Sequence, residues 1–114
     1  MKMHYLEFVT HDVAGVCAAY AAAHAVDFGE PVPSLGGART AAQSDGRLVG
    51  VRSPLHDQED PVVRPYWLVD DIVSAVADVE AAGGTIALPP TEIPGHGTIA
   101  IYQLGGNDHG LWQR

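Results

Sequence analysis

The chain has 114 residues, and its acidic residues outnumber its basic residues 14 to 6, which gives a formal net charge of −8. This length suits one domain, and a composition of 46% hydrophobic and 18% charged residues is typical of a globular protein. The acidic balance disfavours nucleic-acid and anionic membrane partners, and no apolar run approaches the ~20 residues that a membrane span needs. The single cysteine, Cys17, excludes an intrachain disulfide and a thiolate metal cluster, so we expect a cytoplasmic protein.

The first half of the chain predicts a strand, a helix and a hairpin. Residues 4–10 are predicted to form a strand, in which successive side chains alternate between two faces. Tyr5 and Glu7 then lie on one face and Phe8 lies on the other. Asp12 is a typical helix N-cap, and apolar residues spaced three and four apart predict a helix from residue 13 to about residue 24. After an irregular connection rich in glycine and proline, strands are predicted at 38–43 and 47–52 around an Asp-Gly turn. Residues 53–61 are polar and bounded by prolines, which favours an exposed linker.

The second half predicts the same order of elements. A strand at 62–69 leads to Asp71 as the next N-cap, and a helix at 72–82 ends at Gly83-Gly84. Further strands are predicted at 85–88, 97–103 and 109–113, with a loop between the first two that is bounded by Pro89-Pro90 and Pro94-Gly95. Placing Asp12 on Asp71 gives an offset of 59 residues, at which strand falls on strand and helix on helix. The sequence therefore predicts one unit used twice within a single domain at 1–114, with module one at about 1–60 and module two at about 61–114.

Four segments of the second half carry a resemblance to a known family. They are YWLVDDI at 66–72, AAGGTI at 81–86, PPTEIPGHGTIA at 89–100 and GNDHGLWQ at 106–113. In this order and spacing they resemble the vicinal oxygen chelate superfamily, which is also called the glyoxalase/bleomycin resistance protein/dioxygenase family. The first half resembles the family's first module more weakly, through LEFV at 6–9 and the helix that opens at Asp12.

The resemblance implies an α+β fold of two βαβββ modules, whose curled mixed sheets form a cup around a small-molecule site. Module one offers only two strands after its helix, so its fourth strand is expected to be short, to lie within 53–61, or to be exchanged with a partner. Many relatives are homodimers, and a domain this small gains buried area by pairing. We therefore expect a homodimer.

The resemblance also implies where metal-using relatives hold a divalent ion. The first ligand of the family lies about seven residues before the capping aspartate, which gives Tyr5 in module one and Arg64 in module two. The glutamate of the closing strand falls on Gly110. None of these residues is a good ligand, and the permanent charge of Arg64 would repel a metal ion. We therefore expect no metal ligands and no cofactor, while a one-residue shift of the first strand would offer His4 and keep a divalent metal open as the alternative.

Other side chains are expected to line the cup in place of a metal. If one face of the two equivalent strands points inward, Tyr5, Glu7, Arg64 and Tyr66 converge there. Arg64 would then bind a polar or anionic small molecule, the tyrosines would stack or donate hydrogen bonds, and Glu7 would act as a general base if burial raises its pKa. The structural alternative is a buried ion pair between Glu7 and Arg64.

Two further residues are candidates for ligand contact. His96 lies in the segment Pro94-Gly95-His96-Gly97, which corresponds to a flexible loop that often borders the cup of the family. It is a candidate for ligand contact or proton transfer, and a solvated loop histidine is the alternative. Trp112 alternates with Gly110 on the closing strand and is expected to line either the cup or a dimer interface.

Three functions remain open at this point. The leading hypothesis is a glyoxalase/bleomycin resistance/dioxygenase-like protein that binds a small organic molecule in the cup without the usual metal set. One alternative is a divalent-metal-dependent lyase or dioxygenase that uses His4 and Glu7. The other is a resistance protein that only binds and sequesters a drug. Because one fold supports all three, the fold alone does not decide whether the protein is an enzyme.

Overall fold

A computed structural model describes all residues, Met1–Arg114, and shows an α+β protein with seven strands and two helices. The chain divides into two compact units. The N-terminal unit is Tyr5–Val63, and the C-terminal unit comprises Arg64–Arg114 together with Met1–His4. Neither helix has both the length and the apolar content required to cross a membrane. The elements in chain order are β1 (Lys2–Val9), α1 (Val13–His24), β2 (Arg39–Ala42), β3 (Leu48–Arg52), β4 (Val62–Leu68), α2 (Ile72–Ala81), β5 (Thr85–Ile93), β6 (Gly97–Leu104) and β7 (Asn107–Gln113).

In the N-terminal unit the strand order is β2-β3-β1. β1 runs parallel to β3, and β2 runs antiparallel to β3. Helix α1 lies against one face of these strands, where the ring of Phe8 meets that of Tyr20 edge-on at 5.1 Å. Since successive side chains of a strand point to opposite faces, Tyr5 and Glu7 lie on the face away from the helix.

Helix α1 begins and ends as its sequence predicts. The Asp12 carboxylate accepts a hydrogen bond from the Gly15 amide at 3.1 Å, which satisfies one of the free N–H groups of the first turn. His24 lies in the last turn, and Ala25 closes the helix in the left-handed region at φ 53°. Cys17 is buried on the helix, and burial raises the pKa of its thiol, so this cysteine is a packing residue.

In the C-terminal unit the strand order is β4-β7-β6-β5. β4 runs parallel to β7, and the other neighbours are antiparallel. The core on one face of these strands contains Ile72, Ala100, Tyr102 and Leu111, with Trp67 and the apolar residues of α2 packed against them. Asp71 caps α2 by accepting hydrogen bonds from the amides of Val73 and Ser74, as predicted.

The two units repeat one pairing pattern. In the N-terminal unit Glu7 pairs with Gly50, and in the C-terminal unit Tyr66, 59 residues after Glu7, pairs with Gly110. Just beyond each pair of strands, the amide of Thr10 donates to the carbonyl of Arg52 and the amide of Val69 donates to the carbonyl of Trp112, both at 2.9 Å. The repeat therefore extends from element order to individual backbone hydrogen bonds.

The strand that module one lacks does not lie within residues 53–61, which was one of three predicted alternatives. β3 pairs with β1 as β7 pairs with β4, so β3 is the closing strand and the counterpart of β5 is missing. Its place in the chain order is taken by an irregular segment with a 3-10 turn at Pro33–Leu35. This segment makes only scattered strand-like contacts, the Gly29 amide to the Thr40 carbonyl at 2.9 Å and a bridge between Val32 and Ala38. Pro31 and Pro33 have no N–H to donate, which prevents a continuous ladder.

Strand β5 extends beyond the predicted residues 85–88 and includes Pro89 and Pro90. The strand lies at the end of the strand order, where one edge needs no partner for its N–H groups. Its pairing with β6 shifts register between Ile86 and Leu88 and again between Leu88 and Thr91. These irregularities accommodate the two prolines, so the predicted end of the strand at residue 88 is wrong.

Candidate functional site

The N-terminal unit buries two of the predicted site residues on the face away from α1. Tyr5 is 2% exposed, and Glu7 is also buried. Both lie on β1, where Tyr5 pairs with Leu48 of β3, Glu7 pairs with Gly50 and Val9 pairs with Arg52. The sequence prediction that Tyr5 and Glu7 share one strand face is therefore confirmed.

Glu7 belongs to a buried ionic network centred on Arg52. The Nε–H of Arg52 donates to Oε2 of Glu7 at 2.9 Å, and its two terminal nitrogens donate to the two carboxylate oxygens of Glu59 at 2.7 and 2.8 Å. The hydrogen bonds to Glu59 are the main reason that the pKa of Arg52 is raised above its already high usual value. The guanidinium therefore stays charged and holds two carboxylates in fixed positions.

Tyr5 lies over Gly50 on the neighbouring strand. A Cβ atom at Gly50 would collide with the phenol hydroxyl of Tyr5, so only glycine leaves room for this ring. Burial, followed by the charge of Glu7, raises the pKa of Tyr5. The phenol therefore remains protonated at neutral pH and can donate a hydrogen bond.

The C-terminal unit places Arg64 and Tyr66 on the face of β4 that points away from α2. Trp67 lies between the helix and the strands, so its neighbour Tyr66 points to the opposite side. Arg64 is 5% exposed, and its Nη2 donates to the carboxylate of Asp108 on β7 at 2.9 Å. Asp108 also accepts a hydrogen bond from the side chain of Gln103 at 3.3 Å, so the guanidinium is held by an organised polar group.

Aromatic rings fill the rest of this face. Tyr66 meets Trp112 edge-on at 5.7 Å, and Trp112 meets His4 edge-on at 5.0 Å. Gly110 lies directly under Tyr66, where an added Cβ would collide with the ring. Burial is the main cause of a lowered pKa at His4, so its imidazole is neutral at pH 7.

His96 lies in a tight turn, not in the long loop that the sequence predicted. Because β5 continues to Ile93, only Pro94, Gly95 and His96 connect it to β6. The His96 amide donates to the carbonyl of Ile93 at 2.9 Å, and its carbonyl accepts from the indole N–H of Trp112 at 3.0 Å. The side chain is half-buried, and Trp112 therefore fixes the backbone of the turn that carries it.

Sequence reasoning missed four residues of these two clusters, namely Gly50, Arg52, Glu59 and Asp108. Gly50 matches Gly110 and Arg52 matches Trp112 in the strand pairings, but the offset there is 60 and not 59, so the repeat in the sequence did not point to them. Glu59 and Asp108 were hidden by their surroundings, because each lies in a run of polar residues typical of exposed segments. The proposed ion pair between Glu7 and Arg64 joins residues of different units and stays a prediction, whereas the partners found within their own units are Arg52 and Asp108.

The residues at the positions of the family's metal ligands do not fit a divalent ion. Tyr5 presents a buried, protonated phenol, Arg64 presents a cation, and Gly110 has no side chain. The structure brings together no group of three His, Cys, Asp or Glu side chains that could hold a metal ion. His4, the alternative ligand, packs its ring against Trp112.

The structure is similar to several solved proteins. The hypothetical protein BH1468 from Bacillus halodurans C-125 matches with a TM-score of 0.71 and 14% identity, over 99% of this chain and 94% of that chain. Methylmalonyl-CoA epimerase from Streptomyces coelicolor, in complex with 2-nitronate-propionyl-CoA, matches with a TM-score of 0.68 and 14% identity, over 99% and 94% of the two chains. The NAD-dependent benzaldehyde dehydrogenase from Legionella pneumophila matches with a TM-score of 0.69 and 11% identity, over 96% of each chain.

These similarities concern structure alone. The sequence matches no protein-family model and no curated protein. Methylmalonyl-CoA epimerase is a member of the vicinal oxygen chelate superfamily. At 11–14% identity the three neighbours establish a shared fold and not a shared activity. The chain has an α+β, glyoxalase-like fold.

Proposed function

We propose that this protein is a member of the vicinal oxygen chelate superfamily that binds a small, polar or anionic organic molecule without a metal ion. The observation that carries the proposal is the strand face of β4 and β7, where Arg64 and Tyr66 lie on the same face of β4 and the ring of Tyr66 meets that of Trp112 edge-on at 5.7 Å. A fixed cation next to aromatic surface is suited to an organic anion with a planar or apolar part.

The proposal that no metal takes part rests on the residues at the ligand positions. Glycine at Gly110 and a cation at Arg64 leave two of the expected ligand positions without a donor for a divalent ion. A Cβ atom added at Gly110 would collide with the ring of Tyr66, so the space above Gly110 is filled by that ring. Binding of the ligand therefore depends on charge, hydrogen bonds and stacking by the chain itself.

Glu7 is our proposed catalytic residue if the bound molecule is also turned over. Its carboxylate is buried, and one of its oxygens accepts from Arg52 at 2.9 Å. A carboxylate held in this way can exchange a proton with a molecule bound beside it on β1 and β3 of the same unit. Tyr5, on the same strand face, keeps its proton and would serve as a hydrogen-bond donor.

The choice of test compounds follows from the chemistry of the site and from the fold neighbours. One epimerase structure contains methylmalonyl-CoA, a thioester that also carries a carboxylate. We therefore propose a panel of short dicarboxylates, methylmalonyl-CoA and planar antibiotics. The antibiotics test the alternative of a drug-binding protein.

Tryptophan fluorescence tests the proposal because the two tryptophans lie on opposite faces of their unit. Trp112 lies on the proposed ligand face, whereas Trp67 packs in the core beneath α2. We expect a ligand to change the emission of the wild-type protein and of Trp67→Phe, but not of Trp112→Phe. If no compound changes the emission, or if the change survives in Trp112→Phe, the proposed ligand face is wrong.

We further propose that the protein is a cytoplasmic homodimer. Each unit is small, so pairing between chains would increase the buried apolar area. Sedimentation equilibrium tests this proposal, and we expect a species of twice the 12.0 kDa chain mass. A monomer at all protein concentrations would contradict it.

A further inference from the structure

Arg52 binds two carboxylates at once. Its side chain is only 7% exposed, and its fork of N–H donors is bound to Glu7, to both oxygens of Glu59 and to the carbonyl of Ser53. One guanidinium therefore binds the carboxylate of Glu7 on the neighbouring strand and the carboxylate of Glu59.

Glu59 comes from an exposed segment that we call the strap, residues 53–61. Leu55 in this segment is 64% exposed. The backbone contacts described within the strap are local, with the Glu59 amide donating to the His56 carbonyl at 3.1 Å and the Leu55 amide donating to Oε1 of Glu59 at 2.7 Å. The Glu59 carboxylate thus connects an exposed segment to the buried guanidinium of β3.

The position of Arg52 and the geometry of its hydrogen bonds suit it to bind the carboxylate of a ligand. Arg52 lies on the same strand face as Glu7, the carboxylate that we propose as the catalytic group. The two bonds from Arg52 to Glu59, at 2.7 and 2.8 Å, have the parallel fork geometry with which an arginine binds the carboxylate of a ligand. Glu59 therefore occupies the position that such a ligand would take.

We propose that Arg52 is a carboxylate-binding site that Glu59 closes, and that a carboxylate-bearing small molecule displaces Glu59 and releases the strap. This inference rests on the proposed function, since it names the carboxylate as the group that the ligand presents. Displacement exchanges one carboxylate for another on the same guanidinium, so the charge of the buried site is conserved. The strap competes as an intramolecular ligand, which lowers the apparent affinity for any molecule that must displace it.

The test compares the binding of acetate, the simplest carboxylate, to wild-type protein, Glu59→Ala and Asp60→Asn. Asp60 lies in the same strap and is exposed, so its substitution removes one negative charge without opening Arg52. Titrations monitored by NMR at constant ionic strength, with chloride as the reference anion, measure the affinity. We expect Glu59→Ala to bind acetate about tenfold or more tightly than wild type, and Asp60→Asn to match wild type. Adding Arg52→Lys to Glu59→Ala should remove most of the gain, because lysine lacks the fork.

Hydrogen exchange provides a second measurement that needs no variant. The Leu55 amide is bonded to Glu59, so displacement of Glu59 by acetate should accelerate its exchange in the wild-type protein, while chloride should not. Equal acetate affinity of wild type and Glu59→Ala, or a Leu55 amide that acetate leaves unchanged, would overturn the proposal and make Glu59 a structural clasp. Both readouts use acetate alone, so they are independent of the fluorescence test of the ligand face at Trp112.

Discussion

Two glycines at matching positions of the repeat show how single residues shape the candidate site. Gly50 on β3 and Gly110 on β7 each lie beneath a tyrosine, and each would collide with that ring if it carried a Cβ atom. The two collisions involve different atoms. An added Cβ at Gly50 would meet the hydroxyl end of Tyr5, whereas an added Cβ at Gly110 would meet the side of the Tyr66 ring. The same position is therefore filled in both units by an aromatic ring.

Substitution of either glycine by alanine should destabilise the protein by about 1–3 kcal/mol, because the added methyl group overpacks a filled site. Tyr5→Phe should relieve part of the cost of Gly50→Ala, since it removes the hydroxyl that the methyl group meets. Tyr66→Phe should not reduce the cost of Gly110→Ala, because phenylalanine keeps the ring carbons that the methyl group meets. Urea unfolding of the single and double variants measures these free energies.

Gly29→Ala is the matched control, because a Cβ there lies at an ordinary distance of 3.8 Å from the nearest atom. We expect its effect to stay within about 0.5 kcal/mol, as for most exposed substitutions. If alanine lowered the free energy of unfolding equally at all three glycines, the close packing of the tyrosine rings on Gly50 and Gly110 would be contradicted.

The raised pKa of Tyr5 predicts a loss of stability at alkaline pH. The unfolded chain releases the phenol proton near the ordinary pKa of 10.0, whereas the folded protein retains it. Above that pH the unfolded state binds fewer protons, so the free energy of unfolding falls as pH rises. Tyr5→Phe should lose stability less steeply than wild type between pH 9 and 11, as measured by urea unfolding at each pH (about the range in which free tyrosine titrates). Parallel slopes for the two proteins would contradict the assignment.

At the residue scale, sequence alone placed Tyr5 and Glu7 on one buried strand face but missed their partners. Alternation along one strand is visible in the sequence, and it predicts which residues share a face. The partners of Glu7 and Arg64 depend on which strands pair and in what register. Arg52 and Asp108 became visible as partners only once the pairings β1–β3 and β4–β7 were known.

At the scale of elements, both helices were predicted closely because their ends carry local signals. Asp12 and Asp71 each cap a helix at the first turn, and both helices begin at the predicted residue. The errors fell on strands whose ends depend on tertiary context. Pro89 and Pro90 are compatible with β5 only because that strand lies at the end of the strand order, which no local pattern reveals.

The cap of α2 gives a prediction at this scale. Hydrogen bonds from Ser74 and Val73 lower the pKa of Asp71, so its stabilising effect is present at neutral pH and is lost as pH falls through the lowered pKa. Asp71→Ala should lower the melting temperature by a few degrees at pH 7 and by less under strongly acidic conditions.

Thermal unfolding followed by circular dichroism measures both values. Asp70→Ala serves as the control, since the neighbouring aspartate is exposed and does not cap the helix. A pH-independent effect of Asp71→Ala would contradict a role for the ionised carboxylate.

At the scale of the whole molecule, the repeat accounts for what the sequence could and could not predict. The offset of 59 residues was visible in the order of elements, and the structure extends it to matching backbone hydrogen bonds from Thr10 and Val69. Of the three alternatives for the missing strand, a place within residues 53–61 is wrong, because β2 and β3 are the last two strands of the unit. Only the parallel pairing of β1 with β3 identifies the hairpin of β2 and β3 as the counterpart of β6 and β7.

Binding of a small organic anion without a metal ion can be measured by a fluorescence titration of the Trp67→Phe variant with the compound panel, performed before and after exhaustive chelation. We predict that the same compounds change the emission of Trp112 with the same affinity in both preparations. A titration that requires added zinc, nickel or iron, together with stoichiometric metal that Glu7→Ala abolishes, would contradict metal-free binding and favour the metal-dependent alternative.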